Sequence, residues 1–208
     1  LGTERRRFGL SLASQAIYAD AIWNPFGGLK LIPGLRGEVY HLPGGTKFSV
    51  EPRLAARYEF GDDMAFKAAW GLYRQAPQAQ NLDTEFGNPY LDLAQSSQTV
   101  VGFERTLLPK LTLDVQAFFN WRTNLVVSSN ELVTRPDGEV VRERFRNGGR
   151  GQAYGLEILL KQDITERMFG WIAYTLSRSE QENKALSEER GEPVFVPVNF
   201  AQTHNLIF

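Results

Sequence analysis

Apolar and polar residues alternate one for one along most of this chain. Between residues 48 and 60, Phe48, Val50, Pro52, Leu54, Ala56, Tyr58 and Phe60 take every second position, with Ser49, Glu51, Arg53, Ala55, Arg57 and Glu59 between them. A period of two puts the sets on opposite faces of a β-strand, whereas a helix repeats every 3.6 residues or so. Gly61-Asp62-Asp63 is a turn signal. Residues 64–73 then alternate again, with Met64, Phe66, Ala68, Trp70 and Leu72 together. Both arms exceed the roughly 5–6 residues usual for globular strands. They match the roughly 9–11 residues with which a tilted strand crosses a bilayer.

The same pattern predicts the other elements. Residues 8–23 read as a long strand whose phase changes. Phe8, Leu10 and Leu12 share one parity and Ile17, Ala19, Ala21 and Trp23 the other, which a bulge near Ala13-Ser14 would reconcile. Trp23 is expected outward at a membrane interface, which sends Asp20 inward. After a turn at 24–28, residues 29–40 set Leu29, Leu31, Pro33 and Leu35 against Lys30, Arg36 and Glu38. A short loop at 41–46 leads into the central hairpin. Further strands are expected at 95–106, 111–120, 152–162 and 168–177, with another begun at 201–208.

Long polar loops are expected at 74–94, 121–151 and 179–199. Within the second, Leu132-Val133-Thr134 and Val140-Val141-Arg142 flank Pro136-Asp137-Gly138, the signal of a small hairpin. The turns around Phe26, Asp62, Pro109 and Thr165 are short; three of the four connections between them are long. Outer-membrane barrels have short periplasmic turns and longer extracellular loops, so the short turns mark the periplasmic end. The expected fold is all-β: an antiparallel up-and-down meander of long transmembrane strands, an incomplete section of an outer-membrane β-barrel. Residues 1–208 would supply about eight strands and begin a ninth.

Composition removes several other classes. A net charge of −1 and a pI near 6.2 leave no electrostatic footprint for nucleic acid. No apolar run approaches the ~18 residues of a membrane helix; a mean hydropathy of −0.31 is that of a soluble chain, yet does not exclude an outer-membrane barrel, whose strands set apolar residues among polar lumen residues. The absence of cysteine excludes a disulfide scaffold and a thiolate metal site. His41 and His204 have no partner at metal spacing, Gly148-Gly149-Arg150-Gly151 lacks the Lys-Ser/Thr of a phosphate loop, and no G-x-S-x-G elbow occurs. No catalytic residue, metal or cofactor is therefore expected, and no enzyme. Arg5, Arg6 and Arg7 read as a solvated strand top or as a contact with anionic lipid headgroups. Residues 1–20 carry no signal-peptide pattern, so the start of the gene product is expected upstream.

Several short stretches resemble the barrel of TonB-dependent outer-membrane receptors. They are Pro33-Gly34-Leu35-Arg36, Glu51-Pro52-Arg53-Leu54-Ala55-Ala56-Arg57-Tyr58, Trp70-Gly71-Leu72-Tyr73-Arg74-Gln75-Ala76-Pro77, and Asn88-Pro89-Tyr90-Leu91 followed by Gly102-Phe103-Glu104. Asn147-Gly148-Gly149 with Tyr154-Gly155-Leu156-Glu157, then Trp171-Ile172-Ala173-Tyr174-Thr175, then Gln202-Thr203-His204-Asn205-Leu206, complete the series. Their order and spacing agree with the strand register. After Leu91 the family often has Pro-Glu, where this chain has Asp92, Leu93 and Ala94. The resemblance implies a piece of the later part of the barrel, without its plug domain. It implies energy-coupled uptake of a scarce nutrient such as a ferric siderophore across the bacterial outer membrane. The implied partners are the plug domain of the same full-length protein, the TonB energy-coupling protein, outer-membrane lipid and a small-molecule nutrient. A passive porin or structural barrel is an alternative; a soluble glycan-binding β-sandwich is another, which would need shorter strands.

Two sets of site residues follow. Lys30, Arg36, Glu51, Arg53, Arg57, Glu59, Lys67, Glu104, Asp114, Glu157 and Lys161 share the polar parity. A lipid-facing Arg or Lys costs about 2–4 kcal/mol at the midplane, so these charges should face inward. They would cross-link the inner wall, or meet a plug or a passing solute; Arg36, Arg53, Arg57, Glu104, Asp114 and Glu157 are the candidates. For ligand capture the candidates are Phe86, Tyr90, Arg142, Arg144, Phe145 and Arg146 in the long loops. Arg142, Arg144 and Arg146 lead, because guanidinium groups pair well with anions.

Overall fold

The structure, a computed structural model, describes residues 12–84, 86–135, 138–166, 168–198 and 203–208. Strands follow one another in space in chain order: β1 (Ala13–Asp20), β2 (Leu29–Leu42), β3 (Gly45–Phe60), β4 (Met64–Gln75), β5 (Ala94–Leu108) and β6 (Leu111–Ser128). The strands β7 (Leu132–Thr134) and β8 (Val140–Arg142) form the separate small hairpin expected from Gly138 and its neighbours. β9 (Phe145–Gln162) then pairs with β6, and β10 (Gly170–Glu182) with β9. β11 (Phe195–Pro197) and β12 (His204–Ile207) both lie against β10. Every pairing is antiparallel, and β6 and β9 reach 18 residues each. Among the described residues no second large sheet covers this one, which removes the soluble sandwich.

The register sorts the two sets of side chains as the alternation requires. Leu54, Trp70, Thr99, Phe119 and Tyr154 form one cross-strand row, and Ala56, Ala68, Val101, Ala117 and Leu156 the next, all on one face. That face is left open: Ile17 is 80% exposed, Phe48 70% and Val101 55%. A continuous open apolar band of this kind is what a barrel wall turns to lipid. At the end of the short turns Phe26, Tyr58, Phe60, Phe66 and Phe103 form a chain of ring contacts 4.4–6.4 Å apart, like the aromatic girdle of such walls.

Two prolines decide where ladders break. The Trp23 and Leu31 backbones exchange both hydrogen bonds, so odd residues of β2 face β1, and Pro33 has no N–H to offer there. The continuous ladder with β1 is interrupted one step away, after Asp20–Gly34, and beyond the missing donor it is carried on by the Ala21 N–H to the Pro33 carbonyl and by the Trp23–Leu31 bridge. In β3 the Glu59 N–H bonds Gly28, on the β2 side, so alternate even residues aim at β4. Pro52 is the first even residue above the last β3–β4 pair, Arg53–Gly71. Above it the two strands separate. Side chains from the inner face then satisfy β4: Glu51 Oε1 accepts from the Arg74 N–H at 3.0 Å, and the Tyr40 hydroxyl donates to the Arg74 carbonyl at 3.3 Å.

The connection between β4 and β5 is not a free loop. It makes one 3₁₀ turn (Ala79–Leu82) and buries Leu82, Leu91 and Leu93 against Tyr40 and Leu42, with Val126 and Phe145 alongside. Its return arm is clamped by two asparagines. Asn124, at φ 58, donates to the Leu93 carbonyl at 2.8 Å. Asn147 donates to the carbonyls of Asn124 and Asp92 and accepts from the Asp92 N–H. A Cβ on Gly44, in the β2–β3 turn, would stand 2.1 Å from the Pro89 carbonyl oxygen, so glycine lets the two connections touch.

Several sequence expectations change. The pairing of β1 with β2 is regular from Ala13 onward, so no bulge occurs at Ala13-Ser14; Phe8 and Leu10 lie outside the described residues. Register shifts lie instead in β6, between Arg122 and Val126, and in β5, between Thr106 and Leu108. The loop expected at 121–151 shrinks because β6 and β9 extend into it. The loop expected at 179–199 is structured: β10 runs to Glu182 and a helix, α1 (Lys184–Arg190), follows. Asn183 caps α1 through Leu186 N, and Gly191 closes it at φ 73.

Candidate functional site

The inner face carries a ladder of ion pairs that skip across strands. Arg53 of β3 reaches past β2 to Asp20 of β1 with two hydrogen bonds of 2.9 and 2.8 Å. The bridge passes over Gly34, where a Cβ would lie 2.0 Å from Asp20 Oδ1, so only glycine leaves room. Arg57 of β3 reaches past β4 to Glu104 of β5 at 2.8 Å, and Lys67 of β4 bonds Glu104 at 3.1 Å and also Asp114 of β6. Glu104 therefore holds two cations from two strands. Higher up, Arg36 bonds Glu38 at 2.7 Å and stands 3.9 Å from Glu51, which Ser49 also donates to. Arg36, Glu38, Tyr40, Glu51, Arg53 and Arg74 line a cleft of about 540 Å³.

All six wall candidates fall on this face. Arg36, Arg53, Arg57, Glu104 and Asp114 are joined by the bonds just given. Glu157 is exposed on the same face without an ion-pair partner among the described residues, beside a cleft of about 250 Å³ that Asp114 and Gln116 share. Glu104→Gln is expected to loosen β3, β4 and β5 together, because one change takes a shared carboxylate from both Arg57 and Lys67 and leaves them Glu59 and Asp114 respectively. The groups are about one-third exposed, so screening limits the loss to about 1 kcal/mol. Thermal melting of the parent protein in detergent, at low and high salt, checks this. The difference should shrink as salt rises, and a deficit independent of salt would point to a packing cause.

At the mouth the capture candidates divide. Arg142 and Arg144 line a cleft of about 650 Å³ with Ser129, Asn130 and Arg135. The Arg144 guanidinium lies 5.3 Å from the Phe86 ring centroid. Tyr90 and Arg142 border an adjoining cleft of about 200 Å³. Phe145 and Arg146, expected in a loop, lie instead in β9. Phe145 packs on the leucine cluster, and Arg146 bonds Glu131. The alternation could not show either, because Arg146 depends on Glu131 in the link from β6 to β7, and Phe145 on the β4–β5 connection folding inward. Tyr40, Leu42 and Asn147 were missed as anchors for the same reason.

A single sheet of long antiparallel strands, apolar outside and ion-paired inside, with short turns at one end and folded connections at the other, defines a section of an outer-membrane-type barrel wall. Residues 2–204 match the family described as TonB dependent receptor-like, beta-barrel, and the chain belongs to that family. That family is one of receptor barrels and not of enzymes. No curated protein sequence matches the chain. The siderophore receptor PirA from Pseudomonas aeruginosa superposes with a TM-score of 0.61 at 18% identity, over 84% of this chain and 37% of that one. The alcaligin outer membrane receptor FauA from Bordetella pertussis gives 0.61 at 18%, over 82% and 30%. The ferric enterobactin receptor PfeA gives 0.65 at 16%, over 84% and 31%. At these identities the likeness is one of fold. The chain spans about a third of the length of these receptors.

Proposed function

We propose that this chain is barrel wall of a bacterial outer-membrane receptor that imports a scarce nutrient, a ferric siderophore being the first candidate, with energy supplied through TonB. The fold shared with siderophore receptors carries this reading. In it, the exposed apolar face meets lipid and the ion-paired face lines the lumen. A plug domain of the same full-length protein would rest against Arg36, Arg53, Arg57, Glu104, Asp114 and Glu157. The clefts bordered by Tyr90, Arg142 and Arg144, with Phe86 against the Arg144 guanidinium, would open at the extracellular end and take the ligand first. Phe145 and Arg146 would act there by holding the connections in place. Chemically the protein's part is binding and gating.

The test is uptake of iron-55 by cells whose only siderophore receptor is the full-length parent, across a panel of ferric chelates, with and without TonB. The expected result is TonB-dependent uptake of at least one chelate, reduced by Arg142→Gln together with Arg144→Gln while surface levels hold. Uptake that persists without TonB, and follows solute size instead of identity, would establish a passive pore.

A further inference from the structure

The inner wall is chemically two-sided. Across β1 to β5 four of its cations are matched, since Arg36, Arg53, Arg57 and Lys67 each have a carboxylate within 2.7–3.1 Å, while Lys30 is exposed to solvent. Across β5 to β10, toward the extracellular end, the register gives a different surface. One row is Ser96, Arg122, Gly151 and Gln181; the next is Gln98, Asn120, Ala153 and Ser179; the third is Val100, Phe118, Gly155 and Ser177. In these rows uncharged residues, polar ones nearest it and Val100 and Phe118 further down, accompany a single cation, Arg122.

Arg122 is not compensated. Its Nη2 donates to Ser179 Oγ at 2.9 Å, and among the described residues no carboxylate lies within salt-bridge reach. Its Nε is buried without a partner. The nearby acid Glu180 cannot serve: it sits on the opposite parity, bonded to Gln152 at 2.6 Å and Arg178 at 2.6 Å. A guanidinium has five N–H donors in a fixed fork that matches an oxyanion. A half-buried cation left with one neutral hydroxyl is poorly solvated, and an anion beside it would recover that loss. Ser96, Gln98 and Asn120 add donors and present no negative charge to repel it.

We propose that Arg122, with Ser179 and the neutral rows beside it, is an oxyanion subsite of the lumen wall, selective for a carboxylate-type group. The carboxylate comes either from a plug side chain or from an acidic solute held in the lumen. This rests on the reading of the charged face as lumen wall.

The test uses the purified full-length receptor with its plug, as wild type, Arg122→Gln and Arg122→Lys. The first arm is thermal melting with and without millimolar citrate, using inorganic phosphate as a second oxyanion. The second arm is release of the plug from the barrel in urea, followed by proteolysis. A solute subsite raises the melting temperature with citrate in wild type and Arg122→Lys but not in Arg122→Gln. A plug contact gives no citrate shift, with plug release in Arg122→Gln at roughly tenfold or more the wild-type extent and rescue by lysine. Equal behaviour of Arg122→Gln and wild type in both arms would overturn the subsite. So would loss in Arg122→Lys equal to that in Arg122→Gln, since packing and not charge would then be at work. Neither arm reads transport, so failure of the import reading would leave these results intact.

Discussion

Replacing Val101 with arginine is expected to stop the parent receptor from assembling in the membrane, while the same change at Val100, one residue away, is expected to be tolerated. Val101 lies in a row with Ala68 and Ala117 on the apolar face and is 55% exposed. A guanidinium there would have to enter hydrocarbon, at about 2–4 kcal/mol near the midplane. Val100 pairs with Ala69 and Phe118 on the other face, beside Gln98 and Gly102. An arginine there can extend among polar groups and water. Heat-modifiable migration of the receptor on gels, with surface level by antibody, reads the result. Equal assembly of both variants, or the reverse order, would mean that the faces are assigned wrongly.

Replacing Leu82 and Leu91 together with alanine is expected to free the β4–β5 connection without unfolding the barrel. The two side chains are 0% and 2% exposed and form the centre of the cluster with Tyr40, Leu42 and Leu93. A buried Leu→Ala change costs about 2–5 kcal/mol for transfer and cavity. The strands are held separately by their own ladders, so the loss falls on local opening. The lower bound for one of the two changes, about 2 kcal/mol, already multiplies the opened population on the order of thirtyfold, and protease cutting between residues 76 and 93 should rise at least that much. The melting temperature of the barrel should hardly move. An unchanged cutting pattern would show that the asparagine clamps, Asn124 and Asn147, suffice without the leucines.

The long strands and the two faces were legible because the side-chain period of a strand is two and lipid tolerates no charge. Leu54 and Arg57 could be assigned to opposite sides before any contact was known, and so could Asp20 once Trp23 was placed outward. The Gly138 hairpin was legible from turn chemistry. The mouth was less so. Leu82, Leu91 and Leu93 stand in a stretch without periodicity, and Tyr40 and Leu42 occupy the polar parity, so nothing local marks them as partners.

By itself, then, the sequence determined a barrel wall, its inside and outside, and which end carries the short turns. Each of these depends on alternation or turn residues within a few positions of one another. Only the tertiary structure decided which charges meet. Arg57 finds Glu104 at a separation of 47 residues, and Lys67 finds Asp114 at the same separation. Only there does Pro52 become the point where β3 and β4 part, because the consequence of its missing N–H depends on which neighbour it faces. The same holds for Arg122, whose lack of a carboxylate is a property of four adjoining strands and of no segment alone.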